Sequence, residues 1–323
     1  MKASGRGRFR TAAAIALLLA GCSPSGGDSD DGFVLRAPSK AEDRAQSQAG
    51  GPGSAATLPP PGQAAGRLTD QACHQAPLDN AARTNAVHYR SLPWSPFGRA
   101  ELGWETYYRL VSREIGSACP ADSPGFAAAL ARWQADNGLP QTGVLDEAVF
   151  VRMKTEWQLK RPVVRSMREG GCPDPPGSSE LATARPDESY GGKTIELRSG
   201  ALAAYRRMVQ AAKSEQPQIA EDPRNLTIFS GYRSPEYDAA RCRRDQNCNG
   251  IVRARCSPHR TGLAMDLYVG QAPGFGPDSS ADPNRLYMTK TATYAWLTAN
   301  AHRFGFVNYP FEPWHWEWTG ETP

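Results

Sequence analysis

The stretch "PFEPWHWEW" (310–318) decides how the C-terminal half is read: an acid, a proline directly after it, a histidine and three tryptophans in nine residues. Pro313 excludes a helix interior, because proline lacks the backbone N–H and its ring clashes with the preceding turn. Glu312 is therefore expected in a turn and His315 on the strand that follows. Strand side chains alternate faces, so Trp314, Trp316 and Trp318 face one way and His315 and Glu317 the other. The tryptophans read as core. His315 then points into a cleft, with Glu317 a candidate partner for it.

The complementary half lies upstream in "CSPHRTGLAMDLYVG" (256–270). His259 and Asp266 are seven residues apart. A helix would hold them ~10 Å apart along its axis, too far for two ligands of one ion at ~2.0–2.2 Å. A straight strand would put them on opposite faces. The workable arrangement is a loop carrying His259, a turn at Gly262 and a strand delivering Asp266. Together with His315 this gives a mixed nitrogen and oxygen set of three protein ligands with a fourth position open, the form of a catalytic zinc site. Glu312, three residues before His315, is placed to take a proton from water. Arg233, in "SGYRS" beyond a strand end, is placed to face a developing oxyanion.

This set resembles the zinc D-alanyl-D-alanine carboxypeptidases and dipeptidases, including the vancomycin-resistance type, whose fold is shared with the Hedgehog signalling domain. The family's Ser-x-His…Asp pattern stands as Ser257-Pro258-His259 and Asp266, its Glu-x-x-His as Glu312 to His315, and its Ser-x-Tyr-Arg as Ser230 to Arg233. The resemblance covers about 190–320. It implies one Zn²⁺ held by His259, Asp266 and His315, a catalytic base at Glu312, transition-state stabilisation by Arg233, and substrate contacts at Ser257 and Tyr232. It also implies action on peptidoglycan stem peptides, foremost removal of the terminal D-alanine. An endopeptidase cutting inside the stem, such as an L-alanyl-D-glutamate peptidase, is the alternative within the enzyme class. A wall-binding lipoprotein without catalysis is the alternative outside it. The cysteine-rich insert between Arg241 and Cys256 departs from the family pattern. No Ser-x-x-Lys occurs in the chain, which removes the serine route to the same product.

The remaining chain gives the context. At 323 residues two domains are expected. The first 21 residues carry Lys2, Arg6, Arg8 and Arg10, no acid, and an apolar run too short to span a membrane. They account for the net charge of +4, so nucleic-acid binding has no electrostatic footprint. Leu19-Ala20-Gly21-Cys22 resembles a lipobox, which implies lipidation at Cys22, a membrane anchor and a bacterial periplasmic location. Ser23 is compatible with outer-membrane sorting. Of seven cysteines this leaves six, enough for three disulfides in an exported chain. Cys73 with Cys119 and Cys242 with Cys248 are the expected pairs.

Residues 22–66 are poor in large apolar side chains and read as a disordered tether. A second Pro-, Gly- and Ser-rich break, 166–189, reads as a linker. Between them, 67–165 reads as a small all-α domain, with helices in "LGWETYYRLVSREIG" and "PGFAAALARWQADNGL", a stop at Asn137-Gly138, and a further helix starting near Asp146. Trp133, Gln134, Asn137, Gly138, Leu139 and Gly143 resemble the peptidoglycan-binding domain found beside cell-wall hydrolases. Residues 190–323 alternate helix and strand irregularly and read as an α+β domain. The expected helices are "ELRSGALAAYRRMVQAAK", "PEYDAARCRRD" and "TKTATYAWLTANAHRFG". The expected strands are "NLTIFSGYR", "GLAMDLYVG" and "WHWEW".

Overall fold

The computed structural model describes residues 73–74, 77–245 and 256–320. All belong to one compact unit, Pro60–Pro323. The signal stretch, Cys22, the whole tether and Cys248 lie outside the described residues, as does most of the cysteine-rich insert.

The N-terminal block is helical apart from one short ribbon. Helix α1 (Asp79–Ser91) leads into β1 (Pro93–Trp94) and β2 (Glu101–Leu102), followed by α2 (Tyr108–Glu114), α3 (Pro124–Asp136), α4 (Glu147–Leu159) and α5 (Pro162–Glu169). The expected helix around 102–116 starts late, because Leu102 is taken up by pairing with Pro93 and a 3-10 turn at Glu105–Tyr107 precedes Tyr108. Caps explain the other boundaries. Ser123 accepts a hydrogen bond from the Phe126 N–H with Pro124 in the first turn, and Asp146 accepts one from the Val149 N–H. Helix α3 stops at Asn137-Gly138 as expected. Trp104, Phe126, Leu130, Phe150 and Met153 form the core of this block, and Cys73 is bonded to Cys119.

The C-terminal block is α+β. The ribbon β3 (Leu181–Thr183) and β4 (Glu196–Arg198) precedes α6 (Ser199–Glu215) and a single turn, α7 (Gln218–Glu221). Then come β5 (Ile228–Ser230), α8 (Pro235–Asp245), β6 (Ala264–Leu267), α9 (Asp282–Thr289), α10 (Ala292–Asn300), β7 (Phe306–Asn308) and β8 (His315–Trp318). The main sheet runs β5-β6-β8-β7, antiparallel throughout. Trp314, Trp316, Met265, Leu267 and Ile228 pack on one side of it against Leu202, Tyr205 and Leu297 from the helices. Glu196–Arg198, expected at the start of a helix, is strand, because Leu181–Thr183 pairs with it.

Two features tie the blocks together. The break at 166–189 is folded: α5 runs to Glu169, Cys172 is bonded to Cys256, and Leu181–Thr183 enters the ribbon. Between the blocks, the buried Arg285 guanidinium donates to the Phe311 carbonyl at 2.8 Å and the Tyr107 hydroxyl at 2.6 Å, and lies 3.2 Å from Glu101. Phe97 packs on Tyr309 and Phe311 beside it. A buried guanidinium needs such partners, since removing a charge from water is otherwise unfavourable by several kcal/mol, as an order of magnitude.

Candidate metal centre

Sheet register assembles the site. Across β5, β6 and β8, Ser230 is paired with Asp266 and Asp266 with His315. Directly paired residues share a face of a sheet, so these side chains form a row across it. The next residues along, Met265 and Trp316, turn into the core, as the alternation of tryptophans anticipates.

His259 reaches this row from a 3-10 turn, Pro258–Thr261. Ser257 caps the turn by accepting from the His259 N–H at 3.3 Å. Gly262 ends it at φ +69°, and a Cβ there would press within 3.1–3.3 Å of Arg198, Leu181 and Pro176. The chain reverses there and runs straight into β6, delivering Asp266. The imidazole is oriented by its Nδ1–H, which donates to the Gly231 carbonyl at 2.7 Å. That leaves Nε2 free to face the cluster, 3.2 Å from Asp266 Oδ2.

His315 enters from the other side, with Nδ1 2.9 Å from Asp266 Oδ1. One donor atom each from His259, Asp266 and His315 lies within 4.8 Å of the others. All three residues are buried, at 2 %, 7 % and 2 % exposure, so the donors are shielded from competing water. Two imidazoles and a carboxylate around one point, at separations close to those between ligands of a tetrahedral ion, fit a zinc-type cation. Charge agrees. Burial alone would push the Asp266 carboxyl up and the His315 imidazole down. Close contacts override this: His259 first, and then His315, hold Asp266 far below the usual carboxylate range, while Asp266, helped by Glu317, raises His315 to about 9. The pocket therefore favours positive charge at its centre.

Glu312 occupies the turn before β8, where its N–H donates to the Tyr309 carbonyl and its own carbonyl accepts from the His315 N–H. The Asn308 carboxamide donates to the carbonyls of both Glu312 and His315, at 3.2 and 2.8 Å, and steadies the turn. The Glu312 carboxylate lies 3.9 Å from His315 Nδ1, on the ligand side of that ring. Burial pushes its carboxyl up to about 7; Asp266 adds to this, while His315, Arg161 and Arg233 oppose it. A base poised near neutrality beside a cation site suits proton transfer.

Arg233 follows β5. Its guanidinium donates to Ser230 at 2.7 Å, Ser257 at 3.2 Å and Asp238 at 2.8 Å. Its positive charge acts on both His259 and Glu312. Tyr232 is fixed by its N–H to the Glu196 carbonyl at 2.7 Å, next to the ribbon. The structure thus brings His259, Asp266, His315 and Glu312 into one cluster, with Arg233 and Ser257 at its edge and Tyr232 beside them.

A family model described as D-alanyl-D-alanine carboxypeptidase (VanY) matches residues 194–321, a span that holds every one of these side chains. Residues 194–321 are a domain of the D-alanyl-D-alanine carboxypeptidase family. The carboxypeptidase domain is accordingly an enzyme domain, a peptidase. Among solved structures, the LD-carboxypeptidase LdcB, whose structure is described as revealing the molecular basis of peptidoglycan recognition, is 25% identical over 45% of this chain and 70% of its own, with a TM-score of 0.33. A vancomycin-resistance D,D-pentapeptidase, VanY from a VanB-type resistance cassette, solved as a mutant with Zn(II), is 17% identical over 46% of this chain and 83% of its own, with a TM-score of 0.28. At such TM-scores the family assignment rests on the match over 194–321 and on the site geometry. No curated protein matches the chain.

Sequence reasoning missed several groups around the carboxypeptidase site. The Gly231 carbonyl, the Asn308 carboxamide and Asp238, which holds Arg233, are all supplied by short local structure with no composition signal. Arg161 was also missed. It comes from the helical block, and its Nε lies 2.5 Å from Glu317.

Proposed function

We propose that this chain is a zinc-dependent peptidoglycan peptidase, in first place a D,D-carboxypeptidase that removes the terminal D-alanine of a stem peptide. The observation that carries this reading is the Glu312 carboxylate 3.9 Å from His315 Nδ1, beside a buried His259–Asp266–His315 donor set.

His259 through Nε2, Asp266 through its carboxylate and His315 through Nδ1 would hold a single Zn²⁺. When bound, zinc lowers the pKa of a water and polarises the scissile carbonyl. Glu312 accepts the water proton and returns it to the nitrogen of the departing D-alanine. Its high proton affinity in the buried site is suited to both halves of that transfer. Arg233, fixed by Ser230, Ser257 and Asp238, presents positive charge toward the oxygen that becomes negative as the carbonyl is attacked.

The helical block's likeness to peptidoglycan-binding domains supports a role in keeping the enzyme near the wall. Leu19 to Cys22 support lipidation at Cys22, and with the bonded pairs Cys73–Cys119 and Cys172–Cys256 they support an oxidising, periplasmic location on a lipid anchor. Ser23 supports the outer membrane.

Incubating the zinc-loaded protein with a stem pentapeptide and weighing the products tests the reaction. Loss of one alanine supports the D,D-carboxypeptidase reading. Release of D-alanine only from the tetrapeptide would move the specificity to an L,D bond, and fragments from inside the stem would identify an endopeptidase. A zinc-loaded protein that binds wall but cleaves none of these would sink the enzymatic reading.

A further inference from the structure

The last residue before α5, Arg161, belongs to the helical block by sequence and to the metal centre by position. Pro162 restricts the residue before it to extended backbone, and Arg161 has φ −77° and ψ 131°. That conformation ends the run of α4 and turns the arginine side chain under β8. Its Nε donates to Glu317 Oε1 at 2.5 Å, and another guanidinium nitrogen donates to Gln158 Oε1 at 2.7 Å. The guanidinium carbon lies 4.3 Å from the centre of the Tyr309 ring, and the Val163 N–H donates to the other Glu317 oxygen at 3.4 Å. The two side chains are 7 % and 1 % exposed.

Glu317 Oε1 also lies 3.3 Å from Nε2 of His315. The carboxylate therefore faces three donors, the guanidinium, the Val163 N–H and the imidazole N–H. A buried carboxylate that has lost water keeps its charge only when such donors surround it. An anionic Glu317 can only accept, so it requires the proton of His315 on Nε2. In the neutral ring the lone pair is then on Nδ1, the atom facing Asp266 and Glu312.

We propose that Arg161 is a positioning residue of the metal centre, delivered by the helical block: it fixes Glu317, which fixes the His315 tautomer and ring so that Nδ1 is presented to the metal. The inference rests on the zinc reading above and adds a function for the N-terminal block. That block completes the catalytic apparatus, whatever it binds in the wall. Residues 190–323 alone carry the ligands without the group that orients one of them.

Zinc affinity of the full chain, measured by competition with a chromophoric chelator, tests this in the wild type, Arg161→Met and Arg161→Lys. Partners that orient a ligand typically change metal affinity 10–100-fold, as an order of magnitude. Arg161→Met is expected to bind zinc more weakly within that range, with Arg161→Lys, which keeps the charge without the planar fork, between it and wild type. Should Arg161→Met melt at a lower temperature while binding zinc as tightly as wild type, Arg161 is a structural tie only and the inference is overturned, with the function intact. If the wild type itself fails to bind zinc, both fall. The second measurement needs no variant: long-range ¹H–¹⁵N correlation spectra of the zinc-loaded wild type are expected to show His315 bound through Nδ1 and protonated on Nε2. Coordination through Nε2 would overturn the inference even if Arg161→Met does not fold.

Discussion

Asp266 and His315 face each other directly across β6 and β8, with Asp266 Oδ1 2.9 Å from His315 Nδ1. Two of the three donors are thus set by strand register, which packing of Met265 and Trp316 on the opposite face enforces. A slip of either strand by one residue would send its own donor into the core. The site is therefore built into the fold before any ion arrives.

A preformed site has a thermal signature. Zinc that binds only the folded chain raises stability with its concentration, by about 2.7 kcal/mol at 100 times its dissociation constant. The melting temperature is expected to rise on titrating zinc into chelator-treated protein, and activity to return in step. In Asp266→Asn, which keeps the shape but loses the charge, the zinc-dependent rise should vanish, and the metal-free melting point should fall as well, because buried His259 and His315 lose their carboxylate partner. Calorimetry with and without zinc checks both.

Glu312→Gln separates chemistry from binding. The amide keeps the turn, where only the Glu312 backbone is engaged by Tyr309, His315 and Asn308. It cannot accept the water proton. General-base removal typically costs about 10²–10⁴-fold in rate. We expect kcat on stem pentapeptide to fall within that range, with zinc content and KM unchanged. Equal turnover in the variant would remove Glu312 from the mechanism.

How far the site was legible follows from what each residue depends on. Pro313 and Gly262 act on their own neighbours, so the turn at Glu312 and the reversal after His259 could be reasoned from spacing. The Trp314, Trp316 and Trp318 alternation carried the face on which His315 lies. The pairing of Asp266 with His315 was not legible, since register depends on a partner strand. Arg161 was still further from view, at 156 residues from Glu317. The same limit explains the break at 166–189. Its prolines, glycines and serines describe local preference, and neither the Cys172–Cys256 bond nor the pairing of β3 with β4 is local.

Gly231→Ala probes the orientation of the other histidine. A Cβ at this position would lie 2.5 Å from the Glu196 carbonyl oxygen and 2.8 Å from the Ile195 side chain. The backbone must shift, and its carbonyl is the acceptor for His259 Nδ1. Overpacking of this kind typically costs about 1–3 kcal/mol. We expect a lower melting temperature together with weaker zinc binding, whereas a drop in stability alone would show that the Gly231 carbonyl does not orient His259.

Arg285 tests whether the two blocks unfold as one. Its charge lies between Phe311, Tyr107 and Glu101, and removing one partner of a buried pair typically costs about 3–5 kcal/mol. Arg285→Met leaves Glu101 buried without its cation. The wild type is expected to show one transition by both near-ultraviolet dichroism and tryptophan fluorescence. The variant is expected to melt earlier, with the two probes separating as the helical block detaches. Coincident transitions at the wild-type temperature would show that this contact does not hold the blocks together.

The acid limb of stability has an identifiable contributor in Glu188. Burial alone would raise its carboxyl, but hydrogen bonds from Arg206 at 2.8 and 2.9 Å and from the Arg185 N–H outweigh it and hold the group below its ordinary value. The sign follows from proton linkage: a carboxylate more acidic in the folded chain stabilises it above the unfolded pKa, near ~4.3, and the contribution disappears as pH falls through the folded value. Glu188→Gln removes the titrating group. Its stability, followed by urea unfolding between pH 6 and pH 3 (roughly the range that brackets the unfolded value), is expected to start lower than wild type and to decline less steeply. Parallel curves for the two proteins would mean that Glu188 has the same proton affinity folded and unfolded, and that the Arg206 contacts do not hold in solution.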